Sequence, residues 1–260
     1  MNTIKNIFFA IALVFAAGGS AAAVTPHEAD SAYTHEEFTK AVALYTDLLY
    51  SEGPNPEIYY NLGNAHYRAG HTAQAVLAYE RALRLDPTHK DARTNLEFVN
   101  AQLEDKPADN RSFLTITHQN IVQSMGANAW AWTAFAAFAL CCAALALYIF
   151  AGNVTLRKAG FFGAIILAIL TIYFIVVAYD ASSRRNSHDE GIVAVPGTLL
   201  NSVPRQPKQT DKVVPLHEGT KIQIVDSVST PDDPVSPRWY KVNIGGSSEA
   251  WVRSTDVERI

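Results

Sequence analysis

Two uncharged apolar runs constrain this chain more than any other feature. Ala129–Ala151 (AWAWTAFAAFALCCAALALYIFA) has 23 residues and Ala159–Tyr179 (AGFFGAIILAILTIYFIVVAY) has 21, with no Asp, Glu, Lys, Arg or His in either. At 1.5 Å per helical residue, each covers the roughly 30 Å hydrocarbon core of a bilayer. Trp130, Trp132, Tyr148 and Tyr179 fall near the ends, where interfacial aromatics belong. The expectation is a transmembrane hairpin, spans 129–151 and 159–179 with loop 152–158 between them. Neither span carries an intramembrane charge, which disfavours a pump or a channel.

The N-terminus sets the orientation. Lys5, an apolar run from Ile7 to Ala17 and the small-residue stretch GGSAAA follow the order of a secretory signal peptide, placed at residues 1–23. The segment that follows is then exported. The short loop with Arg157 and Lys158 lies on the cytoplasmic side, as the positive-inside rule expects. Arg184 and Arg185, beyond the second span, argue mildly against it. On this reading the protein sits in a bacterial inner membrane, embedded in lipid by two spans, with both soluble parts periplasmic.

Residues 24–106 read as paired helices. YYNLGNAHYRAG, residues 59–70, places Gly63 inside a good helix pattern, where glycine costs about 1 kcal/mol relative to alanine. A close helix–helix approach explains it, with Ala75 and Ala82 of HTAQAVLAYERALRLDP as the expected small partners. Gly70 suits the turn and Asp86-Pro87 ends the second helix. Tyr59, Leu62-Gly63, Tyr67, Gly70, Ala75, Tyr79, Ala82 and Pro87 occupy the places of the 34-residue tetratricopeptide repeat, which this unit resembles. Shifted back by 34, Ala75, Val76 and Tyr79 fall on Ala41, Val42 and Tyr45. Shifted forward, Asn61-Leu62 falls on Asn95-Leu96. Two repeats and a capping helix are expected.

Residues 107–128 join the repeats to the first span. Phe113, Leu114, Ile121, Val122 and Met125 form a loose apolar stripe, suited to a short interfacial helix or to a plain linker. Residues 190–260 change character, with short β-branched and aromatic segments separated by proline, glycine and aspartate. LHEGTKIQIVD, RWYKVNIGGSSEAWV and STDVERI resemble a bacterial SH3-like domain, which implies a small all-β barrel. In that family Gly219 and Thr220 would mark the turn into a strand, and Trp239 and Trp251 the core or a groove that includes Tyr240. The fold class is thus multidomain: all-α repeats, a transmembrane hairpin and a small all-β barrel.

Catalytic chemistry finds no motif. Cys141 and Cys142 are adjacent within a span, and neighbours on a helix diverge by about 100°, so they cannot clamp one metal. His66 and His71 are five residues apart across a turn, and no HExxH, phosphate loop or nucleophile elbow occurs. No catalytic residue, metal or cofactor is expected. Residues 24–126 hold 8 Lys and Arg against 14 Asp and Glu, a net charge of −6 that argues against nucleic acid.

Binding remains. First-helix side chains line the concave face of stacked repeats, which selects Glu57, Tyr60, Asn61, Asn64, Tyr67 and Arg68, continued by Asn95 and Phe98 on the cap. The order of signal peptide, repeats, two-span hairpin and SH3-like domain resembles the BatE family of the Bacteroides aerotolerance (Bat) operon over essentially the whole chain. That resemblance implies an inner-membrane protein acting beside other Bat proteins, some with von Willebrand A domains, in envelope integrity or oxygen tolerance. Two readings follow: a non-enzymatic scaffold holding partner proteins through its repeats, or a wall-binding or envelope-sensing module that recognises peptidoglycan through Trp239, Tyr240 or Trp251.

Overall fold

The computed structural model describes residues 24–105, 112–187, 189–205, 214–229, 239–243 and 249–260. The expected signal peptide, residues 1–23, lies outside them. Five helices open the described chain: α1 (Pro26–Thr34), α2 (Phe38–Glu52), α3 (Pro56–Arg68), α4 (Thr72–Leu85) and α5 (Lys90–Asn100). Local chemistry sets their ends. Thr25 and Glu28 form a capping box on α1, and the Asn55 side chain accepts the Glu57 and Ile58 amides ahead of Pro56 at the start of α3. Gly70 turns the chain at φ +84° between α3 and α4.

Packing confirms that Gly63 marks a close approach, but its partner differs from the expected alanines. A Cβ at Gly63 would lie 2.6 Å from the Tyr79 ring, so the aromatic side chain of α4 fills the space. Ala75 and Ala82 are fully buried in the same core cluster. The Tyr79 hydroxyl donates to Asn64 Oδ1 at 2.7 Å. Thirty-four residues earlier the same bond recurs, Tyr45 donating to Asp30 Oδ1 at 2.6 Å. The small residue recurs too, since fully buried Ala29 stands 34 positions before Gly63. Helix pair α1–α2 thus repeats the α3–α4 design, hydrogen bond included.

Two further helices, α7 (Ala127–Phe150) and α8 (Val154–Asn186), have the length and composition to cross a membrane. They pair as a hairpin on small residues. A Cβ at Gly160 would meet the Tyr148 amide nitrogen at 2.6 Å, and Cys141 Sγ donates to the Ala164 carbonyl at 3.4 Å. The turn between them is short: α8 begins at Val154, capped by Asn153, so most of the expected 152–158 loop is helical. Large apolar side chains such as Phe138, Ile166 and Ile169 point outward and are exposed. Trp130, expected at an interface, is instead buried and stacked on Phe174 with centroids 5.7 Å apart.

The 107–128 connection contains α6 (Phe113–Gln123), whose Val122 packs with Trp130 and Val177. His118 Nε2 lies 2.9 Å from Asp180 of α8. Phe113 and Leu114 remain exposed at its start.

The C-terminal part is antiparallel: β1 (Glu190–Val193), β2 (Thr198–Leu200), β3 (Val214–Leu216), β4 (Lys221–Val228), β5 (Trp239–Asn243), β6 (Glu249–Arg253) and β7 (Val257–Arg259). Five strands run in the order β6-β5-β4-β1-β7, and β2 pairs with β3 as a separate ribbon. A single bridge, Asn201 to Trp251, links ribbon and sheet. The expected barrel is therefore not closed among the described residues: β6 and β7 are the two edges, and the ribbon bonds chiefly to itself. The core of this part is Val193, Leu216, Ile222, Ile224, Val242, Val252 and Val257.

Candidate functional site

The candidate partner-binding residues lie on α3 and α5. Tyr67 and Phe98 meet edge to face, 5.9 Å between centroids, and Phe98 is 57% exposed despite being a large apolar side chain. Gln102 donates to the Tyr67 hydroxyl at 3.4 Å. Tyr60 lies between Tyr79 (6.2 Å) and His89 (4.9 Å). Glu57 is exposed, with Oε1 3.4 Å from His89 Nε2. Asn61 is half-buried with no hydrogen-bond partner among the described residues. Glu57 and Tyr60 thus meet at His89, and Tyr67 and Phe98 meet each other and Gln102.

Three candidate residues are engaged elsewhere. Asn64 Oδ1 accepts from both Tyr79 and the Asn95 amide, the latter at 2.8 Å, so Asn64 and Asn95 lock α3, α4 and α5 together. Arg68 points to the preceding repeat, 4.5 Å over the Phe38 ring and 3.5 Å from the Glu36 carboxylate. Sequence position alone missed Gln102 and His89. His89 caps α5, its Nδ1 accepting the Ala92 amide, a role that its place just before the helix could have suggested. His66 and His71 bring their Nδ1 atoms to 3.4 Å, and burial, with His71 beside it, lowers the His66 pKa to about 4. Among the described residues no three His, Cys, Asp or Glu side chains converge as metal ligands would.

The aromatics assigned to an SH3-like core or groove have different surroundings among the described residues. Trp239 is 1% exposed and sits inside the sheet. The Arg259 guanidinium covers the Tyr240 ring at 4.8 Å. Trp251 is half-buried, and its backbone exchanges two 2.8 Å hydrogen bonds with Asn201.

The sheet docks on the outer side of the repeats, through contacts that no sequence pattern announced. Ile192 and Ile260 join the apolar cluster of α4 and α5. Arg84 donates to the carbonyls of Ile260 (2.6 Å) and Ser187 (2.7 Å) and to Glu190 (3.1 Å). Lys221 bridges Glu80 (2.9 Å) and Glu190 (3.1 Å). Burial pushes Lys221 down, but the two carboxylates outweigh it and its pKa is raised. Burial likewise pushes Glu190 up, yet Lys221, Arg184 and Arg84 hold it below the usual carboxylate range. At the other end Asp105 accepts from the His217 amide (2.6 Å) and from the Thr220 hydroxyl (3.0 Å), and its second oxygen lies 2.9 Å from His217 Nδ1. Gly219, at φ +85°, leaves room for Leu103, which a Cβ there would meet at 2.7 Å.

With this geometry in view, the tetratricopeptide-repeat family pattern matches residues 56–89, which are α3, α4 and the turn into α5. No curated protein matches the chain. The repeat is a protein-interaction module, and residues 56–89 carry it.

Proposed function

We propose that this chain is a non-enzymatic scaffold, anchored in the inner membrane by α7 and α8, whose repeats hold a partner protein on the periplasmic side. The observation that supports the reading is the edge-to-face contact of half-buried Tyr67 with Phe98, which is 57% exposed. Aromatic side chains that a partner can cover are among the residue types that dominate interaction hot spots. The Bat resemblance supplies the partner class, membrane proteins with von Willebrand A domains, and the setting of envelope stress or aerotolerance. The C-terminal sheet is read as an SH3-like module. Its docking on α4 supports a structural role for it in holding the repeats at a fixed height over the membrane.

The test is purification of the full chain in mild detergent from its own membranes, beside a variant with Asn61→Ala, Tyr67→Ala and Phe98→Ala. Von Willebrand A proteins that accompany the wild type and are lost from the variant support the scaffold. The same set with both, or no such protein with either, overturns it. Binding of the wild-type chain to purified peptidoglycan, undiminished by the triple change, would move the function to the sheet.

A further inference from the structure

Where α4, α5, α6, α8 and the sheet meet, they enclose a cavity of about 180 Å³. Five cations line it, Arg84, Arg93, Arg184, Arg185 and Lys221, against two carboxylates, Glu80 and Glu190. The carboxylates are taken up by Lys221 and Arg84. Arg93 donates to the Pro87 carbonyl at 2.8 Å and to Gln123 at 3.3 Å, both neutral groups. Arg184 acts on Glu190 through its charge alone, without a hydrogen bond, and Arg185 has no hydrogen-bond or ion-pair partner among the described residues. Five positive charges less two negative leave an excess of three in a partly buried recess, where repulsion is screened less than on an open surface. An anion in the recess would relieve that repulsion.

Height along α8 selects the anion. Arg184 follows Tyr179, the last residue of the apolar run, by five positions, which is ~7.5 Å at the helical rise. The polar layer of a bilayer extends about 5–7 Å beyond the hydrocarbon on each side, so the recess opens at the depth of lipid phosphates. Helix α6, which supplies Val122 and Gln123 to the same wall, also presents exposed Phe113 and Leu114, side chains suited to the interface. Guanidinium forks match phosphate oxygens two at a time. We infer that this recess is a phosphate site that takes the headgroup of an anionic membrane phospholipid. The inference rests on the reading of α7 and α8 as membrane-spanning.

The experiment uses the full chain in a neutral detergent, titrated separately with phosphatidylglycerol, phosphatidylcholine and inorganic phosphate. Native mass spectrometry and melting temperature are the readouts. Phosphatidylglycerol should be preferred over phosphatidylcholine by about thirtyfold, the worth of two cations near a lipid surface. Arg184→Gln with Arg185→Gln should abolish the preference, whereas the double change to lysine, which keeps the charge and loses the fork, should keep part of it. Inorganic phosphate that displaces lipid from the wild type and stabilises it, but not the glutamine variant, would support the phosphate site and assign its filling to the soluble side. Equal binding of both lipids by the wild type, or a preference untouched by the glutamine change, would overturn the inference. Flotation with phosphatidylcholine vesicles separates the two layers of the argument. A chain that floats without headgroup preference keeps its membrane anchor and loses the recess site; a chain that does not float loses both.

Discussion

The repeat unit has two interfaces of opposite character. Inside it, α3 meets α4 through Gly63, the Tyr79 ring and fully buried alanines, with one shared amide at the edge. Outside it, α4 meets the sheet through Arg84, Lys221, Glu80 and Glu190, and the segment after α5 meets it through Asp105 and His217. The first is dry, close-packed and repeated at a 34-residue interval. The second adds ion pairs to the apolar contacts of Ile192, Ile260 and Leu103, and is built once. Close packing resists any change in volume, whereas ion pairs weaken with salt and pH. The contrast teaches that the helix pair is held by shape, whereas the sheet is held to it partly by charge.

The sharpest way to break this comparison is at Gly63. Valine there must displace a ring that already stands 2.6 Å from the first added carbon, so overpacking should cost about 3 kcal/mol. Circular-dichroism melts of the full chain in detergent should show the loss, and raising salt should not alter it. An unchanged melt would mean that Tyr79 can swing away and that the interface is not close-packed.

Arg84→Ala should come next. It removes two hydrogen bonds to carbonyls and one to Glu190 from a side chain only 12% exposed, a loss of about 2 kcal/mol. The melt should split, the sheet unfolding ahead of the helices, and added salt should widen the gap in the wild type as well. Tyr79→Phe should cost less, about 1 kcal/mol, because the ring stays and Asn64 keeps Asn95 as a donor. Tyr45→Phe should cost as much, since its bond to Asp30 is the earlier copy. Unequal losses would count against a true repeat.

The same contrast explains what the sequence made legible. Gly63, Gly70, Ala75, Tyr79 and Pro87 could be read because repeat packing needs those residue types at those spacings. The two long apolar helices were legible because 23 and 21 residues without a charge leave little else for such runs to be. The docking was not. Arg84 lies among ordinary helix charges and Lys221 opens an ordinary strand, and nothing in either local pattern says that they share Glu190. Ion pairs between residues so far apart in the chain carry no period. The candidate residues divide in the same way: position in the repeat selected Tyr67 and Phe98, whose rings meet, but it could not tell that the Asn95 amide would donate to Asn64.

The smallest expected effect lies at His217, where the ionic interface is most exposed. The hydrogen bond to Asp105 raises the His217 pKa above its ordinary 6.5, outweighing a small opposing effect of burial, with Asp105 and Glu104 adding their charge. Burial pushes Asp105 up, yet the His217 amide and side chain and the Thr220 hydroxyl bring it below its ordinary 3.8. A raised histidine stabilises the docked state fully below about pH 6.5 and loses that contribution as pH climbs through its folded value. A lowered aspartate contributes above about pH 3.8 and loses it as pH falls through its folded value. The latch is therefore complete between these limits and opens on the alkaline side first. The melting temperature of wild type minus that of His217→Gln should be largest at mildly acidic pH and shrink above neutrality. A difference that stays constant across that range would mean that the 2.6 Å amide bond to Asp105, which glutamine keeps, holds this end of the sheet without help from the imidazole charge.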